Sequence, residues 1–324
     1  MPLDLRSSKQ ALKSVLYHVY TMWLFVFSDL KTIVVPSTIF GIANTWSASK
    51  YDLHVPGALM FPHNVSDMAE LIGRALILLS WLIMNFLPFA INNQRGERAV
   101  AEDRLNKPWR PFPCGRISHQ SGTRLMVALY VLAPIYSLVF TGGLRHALAL
   151  IWLGVWYNNW GGADKNPFVR NTINALGYTC FTSGAMEVAS GGSSLPLSPF
   201  GLLGQWHLVL IGVILSTVHL QDMSDQAGDA GRGRCTAPLV WSDNTARWTI
   251  FVPMVFWGLC CPILWDVPWG WFIASTALAW LVAARTLFVR DVGGDKRTFQ
   301  LWNCWIVVIY MLPLFSRTCM RGFS

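Results

Sequence analysis

The chain has 324 residues, 53% hydrophobic and 13% charged, against about 25% charged in an ordinary soluble domain. That deficit, with a mean hydropathy of +0.39, excludes a soluble enzyme and a disordered chain and leaves a polytopic membrane protein. The net charge of +8, from 25 Lys and Arg against 17 Asp and Glu, is spread between apolar runs, so it reports orientation in a bilayer rather than a nucleic-acid partner.

The first fifteen residues are polar and basic, with no short apolar core ahead of a cleavage site, so no removable signal peptide is expected. Residues 1–16 read as a cytosolic tail, 17–316 as one transmembrane domain and 317–324 as a second tail. Apolar runs near 17–42, 70–91, 122–141, 144–160, 171–190, 202–220, 247–265, 267–286 and 300–316 predict an all-α bundle of about nine membrane helices. The first run carries Asp29, Lys31 and Pro36, so it is broken or reaches into a polar cavity. The fifth holds Asn174 and Glu187; without it the count is eight.

With the N-terminus in the cytosol, eighteen Lys and Arg fall in loops on that side and four on the other. Such an excess marks the cytosolic face, and the odd helix count then puts the C-terminus outside. The one glycosylation sequon, at Asn64, lies in the first loop of the opposite face. Seven cysteines without CxxC spacing support neither a disulfide framework nor a zinc site. Oligomeric state has no signature in the sequence.

Two polar loops, after the second and sixth spans, share the cytosolic face. The later one places Asp222, Asp225 and Asp229 at i, i+3 and i+7, on one face if helical. Three like charges at a membrane edge become favourable when divalent cations bind them, and hard oxygen ligands in small number suit Mg²⁺. The earlier loop joins adjacent acids Glu102 and Asp103 to Lys107 and Arg110 in a Pro-bounded turn. A diphosphate site needs both kinds of group, carboxylates for metal and cations for the non-bridging oxygens.

These loops resemble the UbiA superfamily of intramembrane prenyltransferases and related terpene cyclases. The first runs into Asn106-Lys107-Pro108-Trp109-Arg110-Pro111-Phe112-Pro113-Cys114-Gly115-Arg116-Ile117-Ser118, similar to the family's NKPxRPxPxGxIS tail. The second carries DxxDxxxD from Asp222 to Asp229, then Gly233-Arg234-Cys235-Thr236. Segments at 28–33 and 157–162 are similar to a fungal branch, and the resemblance covers almost the whole chain. The family's first motif has an Asn and two Asp at four-residue steps. Counting back from Asp103, the middle slot is Ala99 and the first is Arg95, while the asparagines stand at 92 and 93. Asn92 with Asp103, or Asn93 with Glu97, could share a helix face. This alteration resembles that of fungal UbiA-type terpene cyclases.

The resemblance implies a helical bundle around a cavity open to the cytosol, taking a polyprenyl diphosphate head-first with its tail among the helices. Asp222, Asp225, Asp229, Asp103 and Glu102 would hold Mg²⁺. Asn93, Lys107, Arg110, Lys165, Arg170 and Arg234 would bind the diphosphate. Trp152, Trp156, Tyr157, Trp160, Tyr178, Phe181 and Trp206 are candidate wall residues, though aromatic side chains are also ordinary interface anchors. The expected reaction is cyclisation of farnesyl diphosphate to a sesquiterpene in fungal secondary metabolism, in the endoplasmic reticulum. The rivals are prenyl transfer to an aromatic or polyketide-derived acceptor, and a non-catalytic transporter with Asp29, Asn174 and Glu187 along its path. Glu187 reads equally as a base or a structural partner, and His207 and His219 receive no role.

Overall fold

Apolar runs become helices throughout the computed structural model, which describes residues 5–48 and 65–317; no strand occurs among them. Asn64 lies outside the described residues. The long helices are α1 (Leu5–Val26), α2 (Val35–Trp46), α3 (Val65–Arg95), α5 (His119–Tyr136), α6 (Leu144–Asn158) and α7 (Pro167–Ala189) in the first half. In the second half come α8 (Leu202–Thr217), α11 (Asp243–Leu264), α12 (Trp269–Phe288) and α13 (Val292–Phe315). Short helices α4 (Glu97–Asn106), α9 (Gln226–Arg232) and α10 (Ala237–Trp241) build the polar loops.

Among the described residues, seven helical segments are long and apolar enough to cross a membrane: Gln10–Trp46, Val65–Arg95, His119–Thr141, Leu202–Ser224, Asp243–Leu264, Trp269–Phe288 and Val292–Phe315. Two expected spans fall outside that set. The run at 144–160 forms α6, whose 15 residues rise about 22 Å, short of the roughly 30 Å hydrocarbon core. The run at 171–190 forms the 23-residue α7, too polar to qualify by composition.

The first segment is broken. A 3-10 turn at Phe27–Asp29 and a π turn at Leu30–Val34 separate α1 from α2. Pro36 sits in the first turn of α2, where its missing N–H costs nothing. The interruption brings Asp29 and Lys31 to the wall of an internal cavity. Helix α1 begins at Leu5, so much of the polar N-terminal segment is helical.

Two hydrophobic cores flank that cavity. One gathers Trp206, Met254, Trp265, Trp302 and Trp305 from the second half; the other gathers Trp81, Leu82, Phe86, Phe181 and Ala185 from the first. Helices α2 and α7 lie between them in close contact. At Gly41 an added Cβ would stand 2.9 Å from the Ala185 backbone, so only glycine permits this approach.

Ion pairs with one or both partners buried lock both ends of the bundle. Arg247 donates to both oxygens of Asp295 at 2.9 Å and to Asp243 at 2.9 Å, fastening α11 to the start of α13. Gln226 donates to the same Asp243 at 2.9 Å, which ties α9 to this clamp. At the other end Glu187 accepts from Arg145 at 3.0 Å and pairs with His146 at 3.0 Å.

Candidate active site

The two polar loops meet. Helix α4 packs on α9. A Cβ on Gly228 would lie 2.7 Å from Asn106 Nδ2, so the small residue lets the loops close on each other. Below them lies a cavity of about 680 Å³ lined by Glu102, Asp103, Asp222, Asp225 and Asp229, together with Asp29. Carboxylates separated by more than a hundred residues thus share one hollow.

The later loop is not the single helical face that the spacing predicts. Asp222 lies in a 3-10 turn, Val218–Ser224; Asp225 is the junction; Asp229 belongs to α9. A 3-10 turn rises about 2.0 Å per residue against 1.5 Å in an α-helix, which spreads the carboxylates apart. All three still line the cavity.

The first motif is settled by a helix break. Gly96 is extended, with φ −63 and ψ 142, between α3 and α4. Along an unbroken helix Asn93 and Asp103 would point different ways; across the break Asn93, Ala99 and Asp103 all line the cavity. Asn92 turns away, donating to Asn159 at 2.8 Å and accepting from Arg95 at 3.0 Å. Glu97 is exposed. Of the two pairings the sequence left open, neither forms at the site: each supplies one residue to it.

Arginines reach the same hollow by separate routes. Asn166 caps α7 by accepting from the Phe168 amide at 2.8 Å, and Pro167 follows at the first helical position. That start puts Arg170 in the first turn, where Nη2 lies 2.8 Å from Asp222 Oδ1. Arg110 donates to both oxygens of Asp103 at 2.9 Å, and Arg234 pairs with Asp229 at 3.0 Å. Lys107 also lines the cavity. Lys165 does not belong with them: it is exposed and off the lining, on the loop ahead of α7.

Arg232, read in the sequence only as an orientation charge, lines the cavity and lies 3.4 Å from Glu102. Asp164 holds Arg234 Nε at 3.0 Å from behind. The Arg232-Gly233-Arg234 run was the signal for the former; Asp164 had none.

Burial raises the Asp103 carboxyl above its ordinary range although Arg110 and Lys107 oppose it. Burial, with Asp222 nearby, pushes Asp229 up to about 6 against the pull of Arg170 and Arg234. These carboxylates lack full compensation.

Among the described residues no group of three or more His, Cys, Asp or Glu could by itself hold a metal ion. The donor set nonetheless fits a hard cation. Asp229 Oδ2 and Asn93 Oδ1 are buried without a protein partner, and Asp225 makes no ion pair among the described residues. Mg²⁺ is commonly held by one or two carboxylates plus phosphate oxygens and water rather than by an all-protein cage.

Away from the mouth the wall turns apolar and aromatic, with Phe86, Phe89, Leu150, Tyr157, Tyr178 and Phe181. Of the other expected wall residues, Trp206 is in the core against Trp265, and Trp152 and Trp160 are exposed on the outer surface. Trp156 is not on the lining. Asn174 and Asp29 line the cavity, whereas Glu187 is paired elsewhere.

The sequence profile of the UbiA prenyltransferase family matches residues 70–307. The fumagillin β-trans-bergamotene synthase of Aspergillus fumigatus is 31% identical over 250 residues, covering 75% of this chain and 80% of that protein. The somaliensene A/B synthase of Streptomyces somaliensis is 26% identical over 94% of this chain and 95% of its own. A polyprenyl transferase of Hericium erinaceus is 26% identical over 92% and 95%. In fold, a UbiA homolog from Archaeoglobus fulgidus bound to DMAPP and Mg²⁺ superposes with a TM-score of 0.57 at 12% identity, covering 88% of this chain and 97% of that one. Its GPP and Mg²⁺ complex gives 0.55 at 13%, covering 87% and 98%. The chain therefore belongs to the UbiA prenyltransferase family, as an integral multi-pass membrane enzyme of the terpene-synthase and prenyltransferase type.

Proposed function

We propose that the protein is a Mg²⁺-dependent terpene cyclase that ionises farnesyl diphosphate and closes it to a sesquiterpene, its cavity mouth facing the cytosol. One observation carries the reading: a single cavity joins a mouth of paired arginines and carboxylates to an aromatic, apolar interior. The similarity to a β-trans-bergamotene synthase at 31% identity supports it, as does Ala99 on the cavity wall at the slot where the family's usual first motif has an Asp.

Asp222, Asp225, Asp229 and Asp103, assisted by Glu102, would hold Mg²⁺, which supplies Lewis-acid stabilisation to the departing diphosphate. Arg110, Arg170, Arg232, Arg234 and Lys107 take the non-bridging oxygens, with Asn93 beside them. The arginines are already oriented by their carboxylate partners, so little reorganisation accompanies charge development. The allylic C–O bond breaks with its electron pair leaving on the diphosphate. The apolar wall excludes water that would quench the cation, and faces of Phe86, Phe89, Tyr157, Tyr178 and Phe181 stabilise it by about 0.5–2 kcal/mol each. Attack by the distal double bond and loss of a proton give the hydrocarbon.

Prenyl transfer to an aromatic or polyketide-derived acceptor is the second reading, favoured by the similarity to a polyprenyl transferase along most of the chain. Glu187 is committed to Arg145 and His146 outside the cavity, which removes one support of a transport path. Excess positive charge in the loops supports the cytosolic mouth; the proposal sets the protein in the endoplasmic reticulum, with Asn64 on the lumenal side. Incubating membranes bearing the protein with farnesyl diphosphate and Mg²⁺ alone tests the proposal. A cyclic C15 hydrocarbon is expected; product formed only after an acceptor is added would establish the second reading.

A further inference from the structure

Asn85 lines the cavity from α3, eight residues before Asn93, and the helical rise puts it about 12 Å deeper than the mouth. Its side chain is buried, the residue being 4% exposed. Nδ2 donates to the Trp81 carbonyl at 2.9 Å. That bond fixes the sense of the amide, because the reverse orientation would set oxygen against oxygen with no proton between them. Oδ1 is thereby directed away from the backbone, and it is buried without a protein hydrogen-bond partner. The adjacent wall is aromatic: Phe86 meets Phe181 edge-on with ring centroids 6.0 Å apart.

An unpaired acceptor in such a place destabilises the fold, and a leucine would fill the volume without that penalty. The carboxylates that line the cavity cluster with the arginines of its mouth, so the depth of the pocket offers a departing cation no formal counter-charge. A carboxylate there would risk alkylation; an amide oxygen presents a fixed negative dipole and is a far weaker nucleophile. Other lining groups also lack partners: atoms of Ser28, Asn93, Gln94, Arg110 and Asp229 toward the mouth, and, farther along α7, the Tyr178 hydroxyl and the Asn174 amide nitrogen. The Tyr178 hydroxyl can rotate and the Asn174 nitrogen is a donor, while the Asn93 and Gln94 oxygens stand at the mouth end of α3. Asn85 is therefore the fixed acceptor that lies deeper among the described residues.

We infer that Asn85 is a catalytic residue whose amide oxygen stabilises the carbocation once its charge has moved down the prenyl chain, away from the diphosphate. The inference rests on the cyclase reading above. It separates two stages: mouth residues govern ionisation, and Asn85 governs whether the ionised chain closes before it loses a proton.

The test compares wild type, Asn85→Leu and Asn85→Ser with farnesyl diphosphate and Mg²⁺, reading diphosphate release, hydrocarbon profile and binding of the unreactive farnesyl thiodiphosphate. Analogue binding and diphosphate release should stay within about threefold of wild type, while the ratio of cyclic to acyclic products falls about tenfold or more in Asn85→Leu. Asn85→Ser, which keeps a smaller oxygen, should lie between. An unchanged ratio in either variant overturns the inference. So does joint loss of analogue binding and diphosphate release in both, which would show a packing role. Selective loss of a terpene alcohol overturns it too, since that would make Asn85 a water holder. A wild type that forms no hydrocarbon from farnesyl diphosphate sinks the cyclase reading itself; a cyclising wild type with unaltered variants sinks this inference alone.

Discussion

Arg170 and Asp222, 52 residues apart, face each other at the cavity mouth with Nη2 2.8 Å from Oδ1 and Nε 3.3 Å from Oδ2. The same guanidinium donates to the Tyr157 hydroxyl at 2.6 Å, so one side chain joins α6, α7 and the 3-10 turn. Arg170→Met leaves Asp222 buried and unpaired, which should cost about 3–5 kcal/mol of stability. Diphosphate release should also fall by about 100-fold or more. A melting curve in detergent beside an activity assay measures both. Arg170→Lys should rescue only partly, because an ammonium cannot reproduce the two-pronged contact.

Asp225 offers the opposite case. It is half-buried and makes no ion pair among the described residues, so Asp225→Asn should shift stability by no more than about 0.5 kcal/mol. Activity should nonetheless drop about tenfold or more and need more Mg²⁺ for half-activation. Chelation should abolish diphosphate release in wild type, with recovery on adding Mg²⁺; activity that survives chelation would end the metal assignment.

Ala99 stands on the cavity wall between Asn93 and Asp103. Ala99→Asp should lower the Mg²⁺ concentration for half-activation several-fold, at a stability cost of about 1–3 kcal/mol for a newly buried polar group. A Mg²⁺ titration at fixed substrate decides the point, and an unmoved curve would show that this position does not face the metal.

Gly177 lines the cavity, and a Cβ there would meet nothing within 4 Å. Gly177→Leu therefore places its side chain in the space for the prenyl tail. The ratio of kcat/KM for farnesyl over geranyl diphosphate should fall about tenfold. Phe181→Ala at the same wall should cost about 3–5 kcal/mol and move that ratio upward. Equal losses for both substrates would place the tail elsewhere.

Glu187 is held by Arg145 and His146 away from the cavity. Glu187→Gln should lower the melting temperature while leaving the hydrocarbon profile intact. A changed profile in folded protein would return Glu187 to the reaction as a base.

The all-α, membrane-embedded character was legible in the sequence because hydropathy and helical period are local properties. So was the acidic character of the two loops, since a run such as 222–229 carries its chemistry wherever it folds. Limits appeared where geometry depends on a change of backbone. The helical face expected for Asp222, Asp225 and Asp229 is split by a 3-10 turn. The choice between Asn92 and Asn93 hangs on the break at Gly96, which rotates α4 against α3.

Composition and motif thus determined, unaided, a helical membrane enzyme with paired acidic and basic loops. Tertiary structure alone decided which charges meet. Arg110, Arg170 and Arg234 each found a carboxylate, Arg232 joined them, and Lys165 was left on the outer surface. The reason is physical: burying a charge is costly unless a partner lies within a few ångströms. That distance is set by how distant helices pack, not by the residues beside the charge in the chain.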